Sequence, residues 1–134
     1  MNKLTPVHYF IFLGVLVFGG LIGLAVYKNY MPSKLDSFAS CLSQKEAKMW
    51  GTWWCPNCQA QKKDFGTSFR FIESIECSSP GQKNLLPVCQ NAQVWKGENP
   101  AFPTWEFADG STLIGRQPLS NLAEKTGCVL PTEL

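Results

Sequence analysis

Cys55-Pro56-Asn57-Cys58 is the stretch of this sequence whose residue types and spacing can do covalent chemistry. Two thiols three residues apart can share one disulfide, and on a helix they lie on one face, a turn apart. Where a strand ends and a helix begins, the helix dipole and the unpaired first-turn N–H groups stabilise an anion. Cys55 at such a junction is the nucleophile, and Cys58 resolves the mixed disulfide. Pro56 suits the first turn, where its missing N–H has no intrahelical partner. Trp53 and Trp54 shield the pair; Trp54, adjacent to Cys55, and Pro56 are the expected substrate contacts on this side. Asn57 brings no cation between the cysteines. Zinc sites use the same spacing, so context decides what the pair does.

That context is an alternation of helices and strands. Ser33-x-x-Asp36 is a capping box, followed by Leu35, Phe38, Ala39 and Leu42 at helical spacing, which predicts a helix over 34–44. Residues 47–51 read as a short buried strand. The helix opened by Pro56 stops at Gly66. Phe69 to Cys77 is a second strand, Ser78 to Asn84 a loop turning at Pro80-Gly81, and Pro87 to about Val94 a third helix. Residues 104–108 and 111–114, joined by Asp109-Gly110, form a hairpin with a two-residue turn. Pro118 starts the last helix and Gly127 ends it. This order gives an α/β fold: a mixed central sheet with helices on both faces. Phe102-Pro103 directly precedes the hairpin strand. In such a fold that loop faces the CxxC, and a cis bond there exposes the backbone of residue 102 to pair with a substrate strand.

The chain has 134 residues, 45% apolar and only 16% charged, with five tryptophans and six cysteines. That length allows one compact domain and an appendage. The apolar content excludes disorder, and no period suggests a repeat. A net charge of +2 is too small for electrostatic capture of nucleic acid. Much of the apolar excess lies in Val7 to Tyr27, 21 residues without a formal charge. At about 1.5 Å per residue this spans the hydrocarbon core, which is about 30 Å thick. A signal-peptide apolar region is usually shorter, about 7–15 residues. The segment therefore reads as a retained transmembrane anchor in contact with lipid, with a cleaved signal as the alternative. The division is a tail at 1–6, an anchor at 7–27, a linker at 28–34 and a domain at 35–134. Lys3 lies on one side and Lys28 and Lys34 on the other, so positive charge does not orient the span. A cysteine-rich domain belongs in an oxidising compartment, which places the C-terminal part outside the cytoplasm.

Four further cysteines need partners. Cys77 ends a strand and Cys89 lies in the next helix, which makes Cys77–Cys89 one structural disulfide. Cys41–Cys128 then ties the first domain helix to the C-terminal tail, although the two outer helices are expected on opposite faces of the sheet. Free buried thiols and a zinc site are the competing readings, and the spacing lacks the second close pair of a zinc ribbon. His8, the lone histidine, lies at the membrane edge, away from any triad.

WWCPNC, FPTW and the DG hairpin resemble the thioredoxin superfamily. More narrowly, AKMWGTWWCPNCQAQKKDFG with IEC, PVCQ, PTWEF and LAEKTG resembles the thioredoxin-like domains fused to, or partnered with, bacterial vitamin K epoxide reductase homologues. The resemblance covers about residues 35–130 and allows the superfamily's first strand to be absent. It implies a thiol–disulfide oxidoreductase with Cys55 and Cys58 as the redox pair, Pro103 as the cis-proline and Phe102 as a substrate contact. It further implies exchange with exported cysteine-containing proteins and recycling by a quinone-linked membrane enzyme. No bound cofactor is expected beyond the Cys55–Cys58 disulfide. Fold alone does not choose between oxidase, reductase and isomerase. A non-enzymatic binding module with structural cysteines is the rival from another class.

Overall fold

A computed structural model describes residues 6–132 of the chain. Residues 1–5 of the expected N-terminal tail and the last two of the expected domain lie outside the described residues. The chain divides into two compact units, Met1–Pro32 and Ser33–Leu134. In the first, helix α1 (Pro6–Tyr30) is longer than the apolar segment and includes residues assigned above to the tail and linker. Val7–Tyr27 is long and apolar enough to cross a membrane.

The second unit is built on a four-stranded mixed sheet in the order β2-β1-β3-β4. Strand β1 (Lys48–Gly51) runs parallel to β2 (Glu73–Glu76) and antiparallel to β3 (Thr104–Glu106), which pairs with β4 (Thr112–Ile114). The helices are α2 (Asp36–Gln44), α3 (Pro56–Phe65), α4 (Pro87–Gln90) and α5 (Leu119–Thr126). This is a thioredoxin-like fold.

Register fixes the two faces. Met49 opposes Trp105, and both enter a cluster with Phe38, Leu42, Phe65 and Leu122, so α2, α3 and α5 share one apolar core. Trp50, one residue on, points the other way. It joins a smaller cluster with Cys77, Cys89, Val94 and Trp95. The coverage is thus unequal: three helices contribute to the first cluster, and α4 with a short 3₁₀ turn covers the second. The expectation that the outer helices lie on opposite faces is corrected. Both α2 and α5 feed the larger cluster, so the tail need not wrap around the sheet to bring Cys128 beside Cys41.

Several boundaries differ from the sequence reading. The capping box forms by halves: Asp36 Oδ2 accepts from the Ser33 N–H at 3.0 Å, while Ser33 Oγ accepts from Leu35 N–H at 3.4 Å. Asp36 also accepts from Ser68 Oγ at 2.7 Å and pairs with Arg70 at 2.8 Å. These contacts, the Ser68 hydroxyl first, hold the Asp36 carboxyl below its ordinary pKa. They also explain why residues 69–71 are not strand. Gly66 turns the chain at φ 55°, and a 3₁₀ segment, Gly66–Phe71, brings Ser68 to Asp36 and Phe69 edge-on to Phe65 at 6.1 Å. The third helix stops at Gln90 because Ala92 is extended (φ −68°, ψ 134°), and a separate 3₁₀ turn follows at Gln93–Trp95. The hairpin connection is longer than two residues, since Phe107 N–H bonds the Ser111 carbonyl at 3.1 Å across the turn.

Candidate active site

The end of β1 and the start of α3 place the thiol pair. Cys55 is the N-cap of α3, Pro56 stands in its first turn, and Cys55 Sγ accepts the Cys58 backbone N–H at 3.4 Å. A sulfur here takes the role that an oxygen side chain usually plays at a cap. Both residues are free thiols in this structure. Cys55 is 7% exposed and Cys58 0%, so a partner reaches Cys55 first. Burial pushes the Cys58 thiol up to about 12, helped by its hydrogen bond with Cys55; the Thr52 backbone N–H and Lys62 pull it the other way less strongly.

Gly51 shows how closely Cys58 is held. A Cβ at this position would lie 3.1 Å from Cys58 Sγ and 3.5 Å from Met49 Cε. Gly51→Ala should therefore destabilise the dithiol form by about 1–3 kcal/mol through overpacking. Denaturant unfolding of the reduced protein measures it, and an unchanged midpoint would show that Cys58 can yield.

Opposite the pair, the Phe102–Pro103 bond is cis and Pro103 is fully buried. The Phe102 carbonyl faces Cys55 Sγ at 3.5 Å, accepting from the thiol. The structure therefore brings Cys55, Cys58, Pro56, Phe102 and Pro103 to one place. Trp54 is half-buried beside them, and its indole N–H has no hydrogen-bond partner among the described residues; the same holds for Thr52 Oγ1. The Lys83 ammonium stands 6.0 Å from the Trp54 ring.

The sequence placed Trp53 beside the pair without showing its anchors, and it did not single out Gln61. Trp53, 40% exposed, is locked by its indole N–H to the carbonyls of Ser79 (2.9 Å) and Gln82 (3.1 Å) and by its backbone N–H to Glu76 (2.8 Å). Gln61, one turn beyond Cys58, is fully buried. It accepts from Trp105 Nε1 at 3.3 Å and from Gln117 N–H at 2.6 Å, tying α3 to the segment before α5. The helical spacing of Cys58, Gln61 and Phe65 was the available signal.

The other four cysteines form two disulfides, Cys41–Cys128 and Cys77–Cys89. Among the described residues, no three His, Cys, Asp or Glu side chains converge to hold a metal ion.

No protein-family model matches the chain. It is 32% identical over 116 residues to thiol-disulfide oxidoreductase LTO1 of Arabidopsis thaliana, with 81% of this chain aligned. The chain spans only 29% of that relative's length. In fold, then, this is a thioredoxin-like chain, and over most of its length it is similar to a named thiol-disulfide oxidoreductase.

Proposed function

We propose that this protein is a membrane-anchored, extracytoplasmic thiol–disulfide oxidoreductase that forms disulfides in exported proteins. The observation that carries the proposal is the graded thiol pair: a reachable Cys55 at a helix N-terminus with a fully buried Cys58 bonded behind it. The similarity to a thiol-disulfide oxidoreductase supports the reaction class. The apolar helix α1 supports the anchor, and two disulfides outside the redox pair support an oxidising compartment.

In the forward direction the Cys55–Cys58 disulfide is the oxidant. A substrate thiolate attacks Cys55 Sγ, the bond to Cys58 breaks, and Cys58 leaves with the electron pair and takes up a proton. A second substrate thiolate then attacks the substrate sulfur bound to Cys55, forming the substrate disulfide and releasing Cys55. The protein ends as the dithiol, two electrons richer. A quinone-linked membrane enzyme of the vitamin K epoxide reductase type would reoxidise it. Phe102 and Pro103 present backbone to the substrate, while Trp54 and Pro56 border it. Cys77–Cys89 and Cys41–Cys128 are structural.

The same pair run backwards gives a reductase or isomerase. There the buried Cys58 must ionise before it resolves a mixed disulfide. Burial, the largest cause of its raised pKa, persists when Cys55 is linked to a peptide, so the Cys58 thiolate fraction should rise about tenfold per pH unit while the pH stays below that pKa. Single-turnover release from a Cys55-linked peptide should accelerate about tenfold per unit between pH 7 and 9. A flat profile would mean that Cys58 is not the resolving group.

Thiol trapping in intact membranes tests the function. Cys58→Ser should accumulate mixed disulfides between Cys55 and exported proteins, and Cys55→Ser/Cys58→Ser should accumulate none. Equal labelling of the two variants would leave a binding module with structural cysteines as the better reading.

A further inference from the structure

We propose that Trp95 is a positioning residue for this exchange, and that through it the Cys77–Cys89 cross-link supports the substrate side of the site. The proposal rests on the exchange reaction set out above. Trp95 is buried in the smaller cluster, and its indole N–H donates to the Cys89 carbonyl at 2.5 Å. One neighbour of its ring is Trp50, edge-on at 6.0 Å, whose own indole N–H is fixed to Glu106 at 2.8 Å. Another is the Phe102 ring, edge-on at 5.5 Å. The Phe102 carbonyl in turn faces Cys55 Sγ at 3.5 Å.

These contacts form one chain from a disulfide cysteine to the reactive sulfur. Edge-to-face ring pairs are directional, so a fixed Trp95 ring fixes where the Phe102 ring can lie. Trp95 is fixed twice, by the backbone of Cys89 and by a tryptophan anchored on the sheet. Phe102 is only half-buried and, among the described residues, has Trp95 as its one ring partner. Cys77 and Cys89 are both 0% exposed, so this disulfide is sealed from substrates and acts through what it holds. Cys55 itself is placed mainly by α3 and its cap, and in the oxidised protein its sulfur is bonded to Cys58 and has no proton to give the Phe102 carbonyl.

Removing the Trp95 ring should therefore loosen the residue-102 backbone and leave the thiol pair in place. A polypeptide that must align along residue 102 suffers, whereas a small dithiol that needs only Cys55 Sγ does not. The test uses the oxidised full-length protein and two reductants, a cysteine-pair peptide and dithiothreitol. Trp95→Ala should lower the second-order rate with the peptide about tenfold and change the dithiothreitol rate less than about twofold. Trp95→Phe keeps a ring but lacks the N–H, and should fall between wild type and alanine with the peptide. If the alanine variant does not fold, Trp95→Leu carries the same test. Equal losses on both reductants would show a merely structural role, and unchanged peptide rates would show no role; either overturns the proposal. Failure of the underlying reaction looks different: wild type would then react with neither reductant through Cys55.

Discussion

Cys55→Ser protein should exchange disulfides no faster than buffer alone, while keeping its fold. Serine preserves the cap, since an oxygen accepts the Cys58 N–H at least as well as sulfur. It cannot form the mixed disulfide through which exchange proceeds. The remaining thiol, Cys58, is 0% exposed and overwhelmingly protonated at neutral pH, so it does not substitute. Cys58→Ser should behave differently, reacting once and then stalling as a mixed disulfide. Exchange with a disulfide peptide separates the two: Cys55 of Cys58→Ser bonds one peptide sulfur as the other leaves as a thiolate, whereas residual exchange by Cys55→Ser would place the reactive sulfur elsewhere.

Opening Cys41–Cys128 should cost more stability than any single change in the site. The link joins residues 87 apart in sequence, and in the loop-entropy model a ring of this size contributes about 4.6 kcal/mol. The Cys77–Cys89 ring, with a separation of 12, contributes about 3 kcal/mol. Domains of this size are stable by only about 5–15 kcal/mol. Cys41→Ser/Cys128→Ser should therefore lower Tm by about 20 °C or more. Its exchange rate at room temperature should stay near wild type, because the link ties α2 to the tail at the larger cluster, away from Phe102. Thermal unfolding of the non-reduced variant measures the first, and a shift below about 5 °C would contradict the loop-entropy account.

What was legible in the sequence was whatever depends on neighbours in the chain. Pro56 and Gly66 mark the ends of α3 because a proline at the first turn and a glycine at positive φ are local requirements. Pro118, the N-cap of α5, and Gly127, at φ 72°, bound that helix on the same local grounds. The run Phe69–Phe71 misled because an apolar run does not say which period it will follow. The Asp36–Ser68 bond, across 32 residues, is met by a 3₁₀ turn there and not by strand. The thiol pair and Pro103 were readable as a pattern, but the closeness of Gly51 to Cys58 is a distance that no spacing reveals. Trp95 is the clearest case. Its partners, Cys89 and Phe102, lie six and seven residues away on opposite sides, and only the fold brings both onto one ring.

Cys55 and Cys58 are the proposed redox couple of this protein. The most direct test equilibrates the full chain in glutathione buffers of graded ratio, quenches with an alkylating reagent and maps the peptides. One two-electron transition confined to Cys55–Cys58 is expected, with Cys41–Cys128 and Cys77–Cys89 linked throughout. A midpoint at or above about −180 mV supports the oxidase direction, and one near −270 mV supports a reductase. Cys55 and Cys58 remaining unlinked across the whole range would contradict the account.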